Sequence, residues 1–189
     1  LLRTGAPAAA RRELDAFVKA SSPRDPRMPE ALFLLAQAQE ASGNRGAALD
    51  TYTRLDREYP NNKRRGAVML ATARLLQAEG KWNEASGLLK RVLDQDDPRL
   101  VTEAAYRLGE GLRGAGQNED AVEAYMTAAY LGPESIWGRR ALLGAGQSFA
   151  ALKQPESAAI VYKKLLAASG VEPELATQAR NGLKALGVN

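Results

Sequence analysis

The sequence predicts an all-α solenoid of antiparallel helix–turn–helix units, and three observations lead there. Apolar residues recur three and four apart along nearly the whole chain, the period of a helix with one buried face. Short breaks, most of them holding glycine, interrupt that pattern at even intervals. The same residue types then return after each break. The alanines Ala10, Ala48, Ala85, Ala121 and Ala158 stand 38, 37, 36 and 37 residues apart. Self-similarity at such a period marks stacked two-helix repeats, each too small to bury its apolar face alone.

Residues 8–20 carry Ala10, Leu14 and Phe17 at the spacing of Ala121, Tyr125 and Ala128, so they read as the second helix of a repeat. Leu1, Leu2 and Gly5 would then belong to its preceding turn and helix, as in a piece cut from a longer protein. Leu14 and Phe17 would be left open there, which would allow an end-to-end homodimer. Pro23, Pro26 and Pro29 rule out a continuous helix through SSPRDPRMP.

The first full hairpin carries Leu32, Leu35 and Ala36, breaks at Gly43-Asn44, resumes with Ala48, Tyr52 and Leu55, and closes at Tyr59-Pro60. The second has Ala73, Gly80-Lys81, Ala85, Leu89 and Val92. The third has Gly109, Gly116, Ala121, Tyr125, Ala128 and Pro133. In the fourth, Gly146 leads to Lys153-Gln154-Pro155 and then to Ala158, Tyr162 and Leu165. Its turn lacks glycine and starts the next helix with proline instead. A last helix, about Pro173 to Leu186, has no partner and is expected to cap the stack. The expected division is 1–28 (partial repeat and connection), 29–64, 65–100, 101–136, 137–171 and 172–189 (cap).

Helices approach closely only where side chains are small. Ala36 is therefore expected against Ala48 and Gly109 against Ala121, with Tyr52, Leu89, Tyr125 and Tyr162 filling the space between hairpins.

Composition narrows the function. The 26 basic and 22 acidic residues are interleaved, and a net charge of +4 in that pattern describes a solvated helical surface. There is no cysteine and no histidine, which removes thiolate sites, disulfides and the commonest general base and metal ligand. No phosphate-binding loop, nucleophile elbow or dinucleotide fingerprint occurs, and GAGQ at 144–147 sits inside a helical repeat. No apolar run spans a bilayer. The expectation is a protein without catalysis, cofactor, metal or small-molecule substrate. The carboxylates Asp94, Asp96 and Asp97 read as a solvated turn ending a helix, and Lys63-Arg64-Arg65 as a solvated basic turn.

Small residues before the turn, the alanine and aromatic after it and a closing proline resemble the tetratricopeptide repeat over nearly the whole chain. The period is two to three residues longer than that family's usual ~34, the excess falling in YPNNKRRG, DQDDPRL and LGPESIWG. The ending Tyr59-Pro60-Asn61 looks like that of tetratricopeptide proteins of bacterial envelopes, such as outer-membrane assembly lipoproteins and Tol–Pal partners. That likeness implies a periplasmic or envelope-associated protein, with the cytoplasm as the alternative.

The family resemblance implies a right-handed superhelix whose first helices line a concave surface that binds a protein or peptide. Transferred here, the lining is Phe33, Leu70, Tyr106 and Leu143, then Gln37, Arg74, Glu110 and Gln147 one turn on, with Gln77, Arg107, Arg113 and Arg140 nearby. This would make an apolar ladder with a polar margin, although the apolar members could equally pack between hairpins. The Lys and Asn clamp that some relatives use for a chaperone's C-terminal carboxylate is missing. An RNA-binding stripe would need Arg74, Arg107, Arg113 and Arg140 uninterrupted, and Glu103 and Glu110 argue against it. A structural spacer within a larger envelope or secretion component is the other alternative. Trp82 is expected to pack, and Trp137 to anchor an interface if exposed.

Overall fold

A computed structural model describes residues 7–187, and the readings placed on Leu1, Leu2 and Gly5 lie outside them. Among the described residues there are ten α-helices and no strand. They are α1 (Pro7–Ala20), α2 (Met28–Ala41), α3 (Arg45–Glu58), α4 (Arg65–Ala78), α5 (Trp82–Leu93), α6 (Pro98–Gly114), α7 (Asn118–Leu131), α8 (Ile136–Ala151), α9 (Pro155–Ala167) and α10 (Pro173–Ala185).

Local chemistry sets the helix ends. Proline occupies the first turn of α2, α6, α9 and α10, where no intrahelical N–H is needed. The Asp97 carboxylate caps α6 by accepting from Arg99 N at 2.9 Å, so this residue begins a helix, against the expectation that it ends one. Ser135 caps α8 in the same way, accepting from Gly138 N at 2.9 Å.

The four hairpin turns share one geometry. Gly43, Gly80 and Gly116 hold φ of 77, 76 and 79°, and in the fourth turn Lys153 holds 57°. In each case the next residue donates its N–H five residues back: Asn44 to Gln39, Lys81 to Leu76, Gln117 to Leu112 and Gln154 to Phe149, at 2.8–2.9 Å. Such bonds satisfy carbonyls that the helix end would otherwise leave open.

The chain forms two compact units, meeting within α5 at Leu88 and Leu89. In the first, Met28, Leu32, Phe33, Ala36, Ala48, Tyr52, Leu55, Val68 and Leu75 make a core from α2, α3 and α4. Its connections are tied down by polar contacts. The Tyr59 hydroxyl donates to Pro23 O at 2.7 Å, and Arg64 pairs with both oxygens of Glu30 at 2.6 and 2.8 Å. Arg64 also lies 4.8 Å over the Phe33 ring, while Arg65 pairs with Asp56 at 3.2 Å. Two of the three cations of the basic turn are thus spent within the fold.

The second unit has a core drawn from α6 to α10, among it Ala105, Ala121, Tyr125, Ala128, Leu142, Ala158, Tyr162, Leu165 and Leu183. Its glycines make room for tyrosine rings. A Cβ on Gly109 would lie 2.6 Å from Tyr125 Cδ1, and one on Gly144 2.7 Å from Tyr125 Cε1. Gly109 therefore receives the Tyr125 ring. The ring is held between α6 of its own hairpin and α8 of the next. Tyr162 repeats this between Gly146 and Gly182, whose Cβ atoms would lie 2.7 and 2.6 Å from Tyr162 Cδ1 and Cζ.

Candidate functional site

The first helices α6 and α8, together with α10, enclose a recess of about 280 Å³ in the second unit. Tyr106, Glu110 and Arg113 come from α6, Arg140, Leu143, Gly144 and Gln147 from α8, and Glu174, Leu175 and Gln178 from α10. One face of each helix is presented because these positions recur three and four apart.

The floor is held by Tyr125. Its ring, wholly buried, sits between Gly109 and Gly144, and its hydroxyl bonds two of the lining residues from beneath the surface, donating to Glu110 and accepting from Arg113 Nε at 3.2 Å. Arg113 also approaches Glu110 at 3.5 Å. Burial, then the bond to Glu110, pushes the Tyr125 hydroxyl far above its ordinary range, so it stays a neutral donor. The Arg113 guanidinium is held charged chiefly by its bond to Tyr125. The first unit has a related arrangement: Tyr52 donates to Glu40 at 3.1 Å, and Arg74 pairs with Glu40 at 2.6 Å.

One wall is aromatic and cationic. Tyr106 stacks on Trp137 with centroids 5.3 Å apart, and the guanidinium carbons of Arg107 and Arg140 lie 5.1 and 5.5 Å from the Trp137 ring centroid. Both cations thus make cation–π contacts with the same indole ring. Arg107 pairs with Glu103 at 2.7 Å. Burial, then nearby Glu110, raises the Tyr106 hydroxyl above its usual range, so it too remains protonated.

Of the residues anticipated from sequence, Tyr106, Glu110, Arg113, Arg140, Leu143 and Gln147 line this recess, and Arg107 flanks it through Trp137. Phe33, Gln37, Leu70, Arg74 and Gln77 belong to the first unit. Phe33, Leu70 and Leu143 are only 6–7% exposed, so these three side chains lie largely within the packing. Arg74, Arg107 and Arg113 each face a carboxylate, which removes the uninterrupted basic stripe that RNA binding would need.

Two further positions differ from expectation. Trp82, expected to pack, is 45% exposed at the start of α5. Glu174, Leu175 and Gln178 were missed because α10 reads as a cap. The available signal was Gly182, which follows Tyr162 by 20 residues as Gly144 follows Tyr125 by 19. That spacing gives α10 the same relation to Tyr162 that α8 has to Tyr125.

Comparison with known proteins agrees with the helical-hairpin fold. Family models described as tetratricopeptide repeat match residues 1–63, 70–136 and 140–168. The chain belongs to the tetratricopeptide repeat family. No curated protein matches it. Among solved structures, MamA from Desulfovibrio magneticus RS-1 aligns with a TM-score of 0.73 at 23% identity, over 87% of this chain and 86% of that one. A tetratricopeptide repeat protein from Parabacteroides merdae aligns at 0.78 and 18% identity, over 98% and 69%. YrrB, described as a tetratricopeptide repeat protein with an unusual peptide-binding site, aligns at 0.76 and 18%, over 96% and 87%. At these identities the likeness establishes the fold. Members of the family are as a rule scaffolds that bind proteins or peptides. No helix among the described residues is long and apolar enough to cross a membrane.

Proposed function

We propose that this protein is a non-catalytic scaffold that holds an extended segment of a partner protein against the first-helix face of α6, α8 and α10. The observation that carries the reading is the recess itself. It combines a half-buried aromatic, Tyr106 of α6, with donors and acceptors from two further helices, Arg140 and Gln147 of α8 and Glu174 and Gln178 of α10. Its volume of about 280 Å³ suits one or two side chains of an extended chain. A whole helix, roughly 10 Å across, would not enter. Rigid helices carry every lining group, so binding orders few protein side chains, and the backbone amides of an extended partner find both donors and acceptors. The peptide site named for YrrB supports the same class of ligand.

The test is selection of short random peptides by the wild-type chain, followed by titration against a Gln147→Phe, Gln178→Trp double variant. Gln147 is half-buried and Gln178 exposed, so the larger side chains fill the recess from its rim. Affinity should fall about tenfold or more while the melting temperature holds. Equal affinity for both proteins would move binding off this face.

A further inference from the structure

Within the recess the charged groups are not equally engaged. Glu110 is held by Tyr125 and Arg113, and Arg113 is shared between them. Glu174 accepts from Gln178 at 3.4 Å and stands on the exposed rim. Arg140 differs. Among the described residues it makes no hydrogen bond and no ion pair, and its one directed contact is the stack on Trp137. Glu172 is near enough to feel its charge, but both Glu172 oxygens already accept from Arg139, at 3.2 and 3.0 Å.

A half-buried guanidinium beside an indole ring, with no carboxylate bonded to it, is prepared for an anion. Losing water around an unpaired cation costs free energy that a carboxylate can recover through two parallel N–H···O bonds. Trp137, itself braced by Tyr106, holds that cation near the recess through a cation–π contact, so less side-chain freedom is lost on pairing. Gln147 and Gln178 line the same space and can bond the amides beside such a carboxylate. The single unengaged cation sets the number: one carboxylate, with the neighbouring contacts made to neutral groups.

We propose that Arg140 seats one acidic side chain, Asp or Glu, of the bound segment, so that this scaffold selects extended peptides by a single internal carboxylate. The proposal rests on the peptide-binding reading above.

The experiment uses displayed random peptides with amidated C-termini, which removes the terminal carboxylate as a competitor. Selected sequences should be enriched in Asp or Glu at one position. Exchanging that residue for Asn or Gln should weaken wild-type binding about tenfold, the loss expected for one charge-assisted pair of bonds. Arg140→Gln should bind the acidic and amide peptides alike, Arg140→Lys should recover part of the preference, and Arg140→Glu should favour the Lys-substituted peptide. Binding that the Gln147→Phe, Gln178→Trp variant abolishes, but that is indifferent to the acid-to-amide exchange, overturns this inference and leaves the scaffold reading standing. An acid preference that survives Arg140→Gln also overturns it. Selection of no peptide at all overturns both.

Discussion

Gly144 and Gly87 are both helix-interior glycines, and on propensity alone each should be improved by alanine by about 0.5–1 kcal/mol. Their surroundings separate them. Nothing lies within 4 Å of a Cβ at Gly87, whereas one at Gly144 would press on the Tyr125 ring at 2.7 Å. Gly87→Ala should therefore raise the melting temperature, and Gly144→Ala should lower it by an overpacking cost of about 1–3 kcal/mol. Thermal unfolding of the two variants checks this. A second arm, Gly144→Ala with Tyr125→Leu, should lose less than the sum of the single changes, since removing the ring removes the clash. The chain contains a natural version of that exchange. Where the second-helix residue is Leu89, the position 19 residues on is Leu108 and not glycine. Small and large residues thus alternate as matched sets, which single positions do not reveal.

At the scale of the element, the four hairpin turns demand a left-handed residue at one place and supply it unequally. Three use glycine, while Lys153 pays for φ 57° with a side chain close to its own backbone. Lys153→Gly should leave stability unchanged or raise it by up to about 1 kcal/mol, whereas Gly116→Ala should cost about 1 kcal/mol. Denaturant midpoints for the pair measure it. If Gly116→Ala were neutral, the shared turn geometry would not limit hairpin stability. The helix α10 teaches the complementary point. Its residues Thr177, Arg180, Asn181 and Lys184 are exposed and polar, yet the helix also supplies Gly182 to Tyr162 and the side chains of Glu174, Leu175 and Gln178 to the recess.

For the molecule as a whole, composition sets the pH range of stability. With no histidine and no cysteine, no side chain has an ordinary pKa between the carboxylates and the tyrosines. Glu58 and Glu172 are lowered below their ordinary 4.5, first by hydrogen bonds from Arg54 and Arg139. A carboxylate lowered on folding stabilises the fold above its unfolded pKa, and that contribution fades as pH falls through the folded one. Tyr52, Tyr125 and Tyr162 are raised above their ordinary 10.0, first by burial. Their contribution is complete below that value and fades as pH rises beyond it. The melting temperature should be flat from roughly pH 5.5 to 9.5 and fall on both sides. A midpoint that drops between pH 6 and 7 would contradict this account.

The sequence by itself determined the class, the repeat and the helix–turn–helix rhythm, because these rest on local chemistry: a 3.6-residue apolar period, glycines at positive φ and prolines in first turns. It also placed Tyr106, Glu110 and Arg113 on one face of α6 and Arg140, Leu143 and Gln147 on one face of α8, since residues three and four apart share a helical face. Only the tertiary structure decided which of those are available. It buried Phe33, Leu70 and Leu143, satisfied Arg113 with Tyr125 and Glu110, and brought α10 against α8 to complete the recess. It also left Arg140 over the Trp137 ring with no carboxylate bonded to it among the described residues. Those outcomes depend on distances between residues far apart in the chain, and burial and pairing are properties of neighbours that no local pattern specifies.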